Sequence, residues 1–545
     1  MNEFDISFEK IEIESEEKHI FFEKEKEFSL FDYKLSSFLD LYFKPKKKIF
    51  IKKISITYKV NKPESYFVFR NGFQSWSPSH FFKNEIKERS PLFKILKYHY
   101  LDPENLFPTI SYIFTILKGN FTYLIFKCED PNFYVYFVIN KRKIDIVFEI
   151  DKFLSEPLLL RIKIEETNSI SFDQNFNKKI YGWTSWYYYY RNINKEEIFK
   201  NIDAIENIPF KLNYFQIDDG WQKSIGDWEE NEKFKGSLKE ICDKLNNKNI
   251  SPGIWLAPFI VEKNSSIFKR RKDLLLKDKS GKIFPCGFNP LWSGYFYPLD
   301  IEKEEVYERI LNILKNLKEI GFKLFKLDFL YGGFIKGEHE NSRYERFINF
   351  INEIRKELKE SIILACGAPY ILKENLYDIL RVGPDTMDGW KNIFLRFIGF
   401  EGRVEGYNSL RNTIQRNIFS PQKFLFDPDV IFLKPKKLNL FEKETIIIVN
   451  YLLSNIIFFS DPIYNLKRDD FNLLKILNEI GNYYLTDFDF QDDLYKFVFY
   501  GEKLKFSLFV NLSNKLKKIE NYKEEFIKKR DDNLIYPHES RIFLI

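Results

Sequence analysis

The stretch Phe322 to Gly333, FKLFKLDFLYGG, combines the pattern of a buried strand with two charged side chains. Because side chains alternate between the faces of a strand, we expect Lys326 and Asp328 on one face and Phe329 on the other. A buried ion pair is costly unless it is satisfied or used. At the carboxyl end of a parallel strand it faces the ligand side of the sheet. We therefore take Asp328 as the centre of a candidate site, with Lys326 keeping its carboxylate ionised.

Other predicted strands are also followed by polar or aromatic side chains. The whole set has no histidine, which excludes Ser–His and Cys–His nucleophile systems. No dinucleotide fingerprint and no phosphate-binding loop follow the first of these strands. Two carboxylates among aromatic side chains, with no clustered metal ligands, meet the requirement for glycoside hydrolysis. The set comprises Trp183, Trp186, Asp218, Asp219, Trp255, Lys326, Asp328, Cys366, Arg381 and Asp385.

Each of these residues also has a purely structural interpretation. Asp219 could cap the following turn, Arg381 could pair with Asp378, and Trp255 could belong to the core. The same holds for Trp76, which lies in a Gly-, Ser- and Pro-containing loop, RNGFQSWSP. What favours the chemical interpretation is the placement of so many such residues at successive strand ends, which meet on one face of a barrel.

Five segments resemble glycoside hydrolase family 36, the α-galactosidases, and they occur in that family's order. The DDGW and KxD motifs together are specific, whereas either one alone is weak. The resemblance covers the barrel, and the flanking β regions fit the family's compact, thermophile-type members. The segments are GWTSWYYYY (Gly182 to Tyr190), FQIDDGWQ (Phe215 to Gln222), GIWLAPF (Gly253 to Phe259), FKLDFLYGG (Phe325 to Gly333) and RVGPDT (Arg381 to Thr386).

The resemblance implies a retaining α-galactosidase that forms a covalent galactosyl-enzyme. It implies that Asp328 is the nucleophile and Asp385 the general acid and base, although Asp388, three residues on, is a rival for the second role. It implies that Asp218 and Asp219 accept hydrogen bonds from the 4- and 6-hydroxyls of galactose. A retaining mechanism predicts that the two catalytic carboxyl groups lie roughly 5–5.5 Å apart.

The resemblance also implies the remaining sugar contacts. Lys326 is expected at the 3- and 4-hydroxyls and Arg381 near the 2-hydroxyl. The remaining expected contacts are Trp255, Cys366, Trp183 and, from an N-terminal loop, Trp76. The same likeness leaves alternatives open: a galactosyl transferase of the raffinose-synthase type, an inactive sugar-binding protein and, less favoured, an α-N-acetylgalactosaminidase.

The pattern along the chain predicts the elements that position these residues. Up to about residue 175, apolar and polar residues alternate with period two, which is typical of antiparallel strands. From 176 to 465, about eight strand-then-helix units follow, the size of a (β/α)8 barrel, although a doubly wound sheet has a similar pattern. From 466 to 545, β texture returns. We therefore predict an N-terminal β-sandwich, a central catalytic (β/α)8 TIM barrel and a small C-terminal β-sandwich.

Composition limits the remaining classes of function. The 545 residues carry 85 Lys and Arg against 79 Asp and Glu, which gives no nucleic-acid signature. Four scattered cysteines and five scattered histidines lack metal-binding spacing. The N-terminal residues lack the apolar core of a signal peptide, and no apolar run is long enough to span a membrane. We therefore expect a cytoplasmic enzyme with a small oligosaccharide substrate, no cofactor, no metal, and no nucleic-acid or membrane partner.

Overall fold

Antiparallel strands form the N-terminal region. A computed structural model describes residues 3–35, 40–128, 132–170, 172, 175–337, 341–371, 373–419, 424–519, 524–527 and 532–545. The strands form sheets of order β2-β1-β6-β13-β12-β9, β15-β11-β10-β7-β8 and β14-β5-β4-β3, and Ile56, Val68 and Phe137 of the first two share a core. The strands are β1 Asp5–Glu14, β2 Lys18–Phe21, β3 Glu25–Glu27, β4 Phe31–Leu35, β5 Leu41–Pro45, β6 Ile49–Asn61, β7 Phe67–Arg70, β8 His80–Lys83, β9 Ile110–Tyr112, β10 Phe114–Lys118, β11 Tyr123–Cys128, β12 Tyr134–Asn140, β13 Lys143–Leu154, β14 Leu158–Leu160 and β15 Ile162–Thr167.

A parallel sheet that closes on itself forms the centre of the molecule. Its order is β27-β26-β25-β24-β20-β17-β16-β29-β28. Because β27 pairs with β26 while β28 pairs with β29, the break at Pro428 and Asp429 divides one strand and the barrel closes there. The strands are β16 Ile180–Thr184, β17 Tyr214–Ile217, β20 Ser251–Leu256, β24 Leu324–Leu327, β25 Ile362–Ala365, β26 Ile379–Arg381, β27 Leu425–Asp427, β28 Val430–Ile431 and β29 Ile456–Phe459.

Short strands lie in the loops at the carboxyl ends of the barrel strands. One hairpin follows β17 and a three-stranded sheet follows β20. These insertions are on the ligand face of a barrel, where functional loops are found. The additional strands are β18 Gln222–Ser224, β19 Asp227–Glu230, β21 Ile260–Glu262, β22 Gly287–Asn289 and β23 Gly294–Pro298.

Helices surround the barrel, and local sequence sets several of their limits. Asn194, Ser342 and Asn439 cap the helices that follow them by accepting a backbone N–H bond. The described residues just before Ile379 form only a turn, so the connection between β25 and β26 there contains no helix. The α-helices are α1 Trp186–Tyr189, α2 Lys195–Asp203, α3 Leu238–Asn247, α4 Ser266–Arg270, α5 Glu304–Ile320, α6 Arg343–Glu357, α7 Ile393–Phe397, α8 Gly406–Phe419, α9 Leu440–Leu453 and α10 Asn472–Asn478.

Antiparallel strands return at the C-terminal end. A five-stranded sheet has the order β30-β31-β32-β36-β34, and β33 pairs with β35. The predicted class, a TIM barrel with flanking β regions, is confirmed. In the described part of the chain, no helix is both long and apolar enough to cross a membrane. The strands are β30 Tyr483–Gln491, β31 Leu494–Gly501, β32 Lys505–Asn511, β33 Lys517–Lys518, β34 Glu524–Glu525, β35 Leu534–Ile535 and β36 Ser540–Leu544.

A loop from the N-terminal sheet, residues 70–78, docks on the ligand face of the barrel. The Arg416 guanidinium of α8 donates to the carbonyl oxygens of Gln74 and Ser75 at 3.3 and 3.0 Å. The backbone N–H of Ser75 donates to the carbonyl of Ala368, just after β25, at 3.2 Å. Because the loop's polar backbone groups find partners on the barrel, the loop can be buried. This docking brings Trp76 to the barrel's ligand face.

Candidate active site

One deep cavity of about 680 Å³ opens at the carboxyl ends of the barrel strands. This size falls within the roughly 300–1,000 Å³ of pockets that bury a small organic ligand. The predicted residues that line it are Trp76, Trp186, Asp218, Asp219, Trp255, Lys326, Asp328 and Asp385. Residues predicted from six separate segments therefore meet in one space.

Asp328 follows β24 directly, and both of its carboxylate oxygens are held. The indole N–H of Trp255 donates to Oδ2 at 2.9 Å, and the backbone N–H of Phe329 donates to Oδ1 at 2.8 Å. Burial raises the pKa of Asp328 above its ordinary value, Lys326 opposes this shift, and Asp385 adds to it. Lys326 therefore favours the ionised form of Asp328, as expected, but burial has the larger effect on the pKa of this carboxyl group.

The main partner of Lys326 is Asp218 rather than Asp328. The Lys326 ammonium donates to Asp218 Oδ2 at 2.8 Å, and both side chains are almost fully buried. Burial is the largest single effect and lowers the pKa of Lys326, but the charge of Asp218, together with those of Cys366 and Asp328, raises it above its ordinary value. The Gln216 amide donates to the same carboxylate oxygen at 2.7 Å. These hydrogen bonds hold the Lys326 ammonium group beside Asp218, the acidic residue that follows β17.

Asp219 is oriented by a residue that the sequence did not single out. The indole N–H of Trp292, in the insertion after β20, donates to Asp219 Oδ2 at 2.8 Å. The Gln222 amide donates to Oδ1 at 2.6 Å. Burial raises the pKa of Asp219, and these two hydrogen bonds oppose the shift. A tryptophan in a glycine-containing loop, the signal that drew attention to Trp76, also marks Trp292.

The backbone at Phe329 departs from the expected alternation of side chains. Phe329 has φ 52° and ψ 33°, a left-handed conformation that ends the strand. Its ring therefore lies beside Asp328 on the cavity wall instead of on the opposite face. There it meets the rings of Trp76 and Trp292 at centroid distances of 4.8 and 4.9 Å. Left-handed residues other than glycine are strained, and such strain concentrates at functional sites.

Gly367 makes room for this aromatic wall. It has φ 54°, and a Cβ atom there would lie 3.0 Å from both the Phe329 nitrogen and the Trp76 ring. A larger residue would therefore meet both a backbone penalty and a collision. Gly367, the glycine of the CGAP segment, thus contributes to the site by leaving space for Trp76 to pack against Phe329.

Asp385 shares a buried charge network with Arg381. The Arg381 guanidinium lies 3.2 Å from Asp385 Oδ1 and 2.7 Å from Asp429 Oδ2. It also donates to the Tyr187 hydroxyl at 2.9 Å, and that hydroxyl donates to Asp429. Burial raises the pKa of Asp429 to about 7, with Arg381 opposing. The structural alternative for Arg381 was wrong about the partner, because Asp378 pairs with Arg355 at 2.6 Å.

Three predicted sugar contacts are not on the cavity wall. Trp183 is fully buried, stacks on Phe215 at 4.3 Å and donates its indole N–H to the Asp461 carbonyl. Its strand position faces the core, and Trp186, three residues on, takes the wall position. Cys366 and Arg381 are also fully buried, beneath the wall, with the Cys366 sulfur 3.9 Å from the guanidinium. None of these three side chains lines the cavity, so their direct contact with a sugar stays a prediction.

The rival carboxylate Asp388 is used elsewhere. Its two oxygens accept the backbone N–H groups of Lys436, Lys437 and Leu438 at 2.7, 3.0 and 3.2 Å. It does not line the cavity. Asp385 is therefore the carboxylate of the RVGPDT region that reaches the same space as Asp328.

Fold and site together define a class of protein. A closed parallel barrel carries paired carboxylates among aromatic side chains at its ligand face, which is the arrangement of barrel-type glycoside hydrolases. Residues 172–335 match the sequence model of the Melibiase family. This match confirms the resemblance to family 36 that the motifs indicate.

Over part of its length the chain is also similar in sequence to curated α-galactosidases. Over 179 residues the chain is 23% identical to α-galactosidase Mel36A of Lactobacillus acidophilus, a match that covers 30% of this chain and 23% of that protein. Over 117 residues it is 27% identical to the bifunctional α-galactosidase/sucrose kinase AgaSK of Mediterraneibacter gnavus, covering 20% and 12%. The chain thus matches about a quarter or less of the length of these curated relatives.

The fold also resembles solved structures along most of the chain. The α-galactosidase TtGalA of Thermus thermophilus, in complex with p-nitrophenyl α-D-galactopyranoside, superposes with a TM-score of 0.68 and 22% identity, covering 84% of this chain and 95% of that one. An α-galactosidase from Lactobacillus brevis gives a TM-score of 0.60 at 10% identity, covering 99% and 85%. At these identities the likeness shows a shared fold.

Proposed function

We propose that this protein is a retaining α-galactosidase that hydrolyses terminal α-1,6-linked galactose from oligosaccharides such as melibiose and raffinose. One observation carries the proposal: Asp328 and Asp385 line the same cavity as the acidic pair Asp218 and Asp219. The first pair supplies a nucleophile and an acid, and the second supplies acceptors for sugar hydroxyls. The family match and the named activity of the relatives support it.

In the first step, Asp328 attacks the anomeric carbon while Asp385 donates a proton to the leaving oxygen. The N–H groups of Trp255 and Phe329 fix the Asp328 carboxylate, so it needs little rearrangement to attack. The Asp385 side chain is a third exposed, and its Oδ1 lies 3.2 Å from the Arg381 guanidinium. A partly exposed acid can exchange protons with solvent between the two steps.

In the second step, Asp385 removes a proton from water, which attacks the galactosyl-enzyme and restores the original anomeric configuration. Selectivity comes from Asp218 and Asp219. Each already accepts hydrogen bonds from protein groups, but a carboxylate offers about four acceptor positions. The axial 4-hydroxyl of galactose donates to one of the remaining acceptor positions of this carboxylate pair. The equatorial 4-hydroxyl of glucose points elsewhere and leaves a buried acceptor without a hydrogen bond.

Hydrolysis of matched nitrophenyl glycosides tests the proposal. We expect kcat/KM for 4-nitrophenyl α-galactoside to exceed that for the α-glucoside by about 10⁴-fold, because unpaired buried acceptors discriminate that strongly. The galactose released first should be the α anomer, as observed by proton NMR. Equal rates on both sugars, or β-galactose as the first product, would contradict the proposed activity.

Replacing Lys326 with methionine is expected to move the acid limb of the kcat/KM profile to higher pH. The Lys326 charge lowers the pKa of Asp328, so its loss lets burial and Asp385 raise that pKa further. Asp328 attacks only when ionised. As the pH is lowered, the variant therefore loses activity at a higher pH than the unmodified protein does. Profiles from about pH 4 to pH 8 measure this shift.

Lys323→Met is the matched control for this experiment. Lys323 precedes the same strand, but its exposed ammonium bonds Asn246 on the far side of the barrel wall. Its loss should leave the acid limb in place. An acid limb that stays put or moves to lower pH in Lys326→Met would show that Lys326 does not act on Asp328.

We also propose a cytoplasmic location. All four cysteines are buried and none forms a disulfide. Buried free thiols suit a reducing compartment. Burial raises the pKa of the Cys366 and Cys286 thiols well above the ordinary value, which disfavours the reactive thiolate form.

A further inference from the structure

The outer half of the cavity differs in chemistry from its floor. Two segments line the cavity there, and we call their side chains in its lining the apolar mouth. It consists of Phe93, Ile95 and Leu96 on one side and Phe394, Leu395 and Ile398 on the other. The backbone N–H of Leu92 donates to the Ile398 carbonyl at 2.9 Å, which joins the two segments at one end.

Exposure and polarity change in opposite directions along the cavity. Asp328 and Asp218 at the floor are only 7% and 2% exposed, whereas Phe93 and Phe394 at the mouth are 60% and 69% exposed. Soluble proteins rarely leave large apolar patches open unless the patch binds something. The most exposed carbon surface of this region therefore lies where a ligand enters.

Charged side chains are confined to the floor. Among the described residues, those that line the cavity and carry charge are Asp218, Asp219, Lys326, Asp328 and Asp385. His99 lies at the edge of the mouth, but burial lowers its pKa to about 4, so it is neutral. A disaccharide leaving group presents hydroxyls in every direction and needs polar partners. Tyr190, Asn289 and Tyr295 also line the cavity, but the six side chains of the apolar mouth carry no polar atom.

We propose that the apolar mouth is a binding site for an apolar aglycone, so that the preferred substrates are α-galactosides of a hydrocarbon chain. This inference rests on the proposed function and specifies its leaving-group side. The anomeric oxygen lies between Asp328 and Asp385 during reaction, so the group attached to it must extend away from the floor. Extension in that direction leads to the apolar mouth. On this proposal the protein binds melibiose and raffinose through their galactose ring alone, and the rest of each sugar makes no specific contact.

A series of alkyl α-galactosides of increasing length tests the inference. With methyl, butyl, hexyl and octyl galactosides below their micelle-forming concentrations, we expect kcat/KM to rise about two- to fourfold for each added methylene. Burial of one methylene is worth about 0.8 kcal/mol, which corresponds to the upper figure. The rise should appear mainly in KM, because the chain lies far from the reacting bonds.

Two neighbouring residues of α7 provide the variant and its control. Phe394→Ser removes a ring from the mouth and should flatten the dependence on chain length, with each variant normalised to its own rate on methyl galactoside. Ile393→Ser makes a similar change at a residue that is 81% exposed and does not line the cavity. It should keep the full dependence.

The outcomes separate this inference from the proposed function. Hydrolysis of methyl galactoside with no gain from longer chains would overturn the apolar-aglycone site and leave the activity standing. No hydrolysis of any α-galactoside would overturn both. A flat series together with a dimer that Phe394→Ser dissociates, seen by sedimentation, would show that a second copy of the chain covers the mouth, and would also overturn the inference.

Discussion

Replacing Asp328 with alanine is expected to lower kcat by about four to six orders of magnitude, the loss typical of a removed nucleophile. The indole N–H of Trp255 and the backbone N–H of Phe329 would then point into an empty space where the carboxylate stood. Added azide should restore turnover of 4-nitrophenyl α-galactoside, because it fits that space and attacks from the same side. The product should be β-galactosyl azide.

The anomeric form of the azide product is the decisive measurement. α-Galactosyl azide from Asp328→Ala would mean that Asp328 is not the nucleophile. Asp328→Asn serves as the control for folding, since the amide oxygen can still accept one of the two N–H bonds. An unchanged thermal unfolding midpoint in Asp328→Asn, with activity still lost, would separate a chemical role from a structural one.

Replacing Asp385 with alanine is expected to lower kcat/KM by about two to four orders of magnitude on melibiose, which needs a protonated leaving group. The loss should be smaller on 4-nitrophenyl galactoside, whose leaving group departs without an acid. With that substrate, azide should intercept the galactosyl-enzyme and give α-galactosyl azide. Product analysis by NMR distinguishes this outcome from the one expected for Asp328→Ala.

Asp388→Asn is the matched control for the acid. Asp388 lies three residues further on and binds the backbone of the segment from Lys436 to Leu438 rather than lining the cavity. We expect the Asp388→Asn variant to keep near-full activity on melibiose and on 4-nitrophenyl α-galactoside. Near-full activity in Asp385→Ala together with a large loss in Asp388→Asn would reverse the assignment of the acid.

Periodic patterns predicted the barrel well, because they reflect local packing. The helical periodicity of Glu304–Ile320 and the apolar run Ile456–Phe459 correspond to a helix and a strand of the barrel, because each pattern of buried residues runs the full length of its element. The barrel's closure at Pro428 and Asp429 depends on pairing between distant strands, which no local pattern specifies. The domain boundaries drawn from changes in pattern stay predictions.

The site residues at the ends of barrel strands were predictable from the sequence. The site residues in loops were less so. Asp218, Asp328 and Asp385 meet as expected because barrel topology alone brings strand ends together. The ring of Phe329 was placed on the wrong face, because one left-handed residue cancels the alternation of the strand. Asp429, the closest carboxylate to Arg381, lies in the break between β27 and β28, so the sequence between the two residues gives no sign of their contact.

The loop of residues 70–78 makes the cavity a joint product of two regions of the chain. Trp76 belongs to the N-terminal region and Asp328 to the barrel, yet both line the same wall. A ligand that touches both binds only while the two regions are docked, so it stabilises their docking by about 2.7 kcal/mol at a hundred times its dissociation constant. We therefore expect a ligand bound in this cavity to hold the two regions together and to raise the temperature at which they separate.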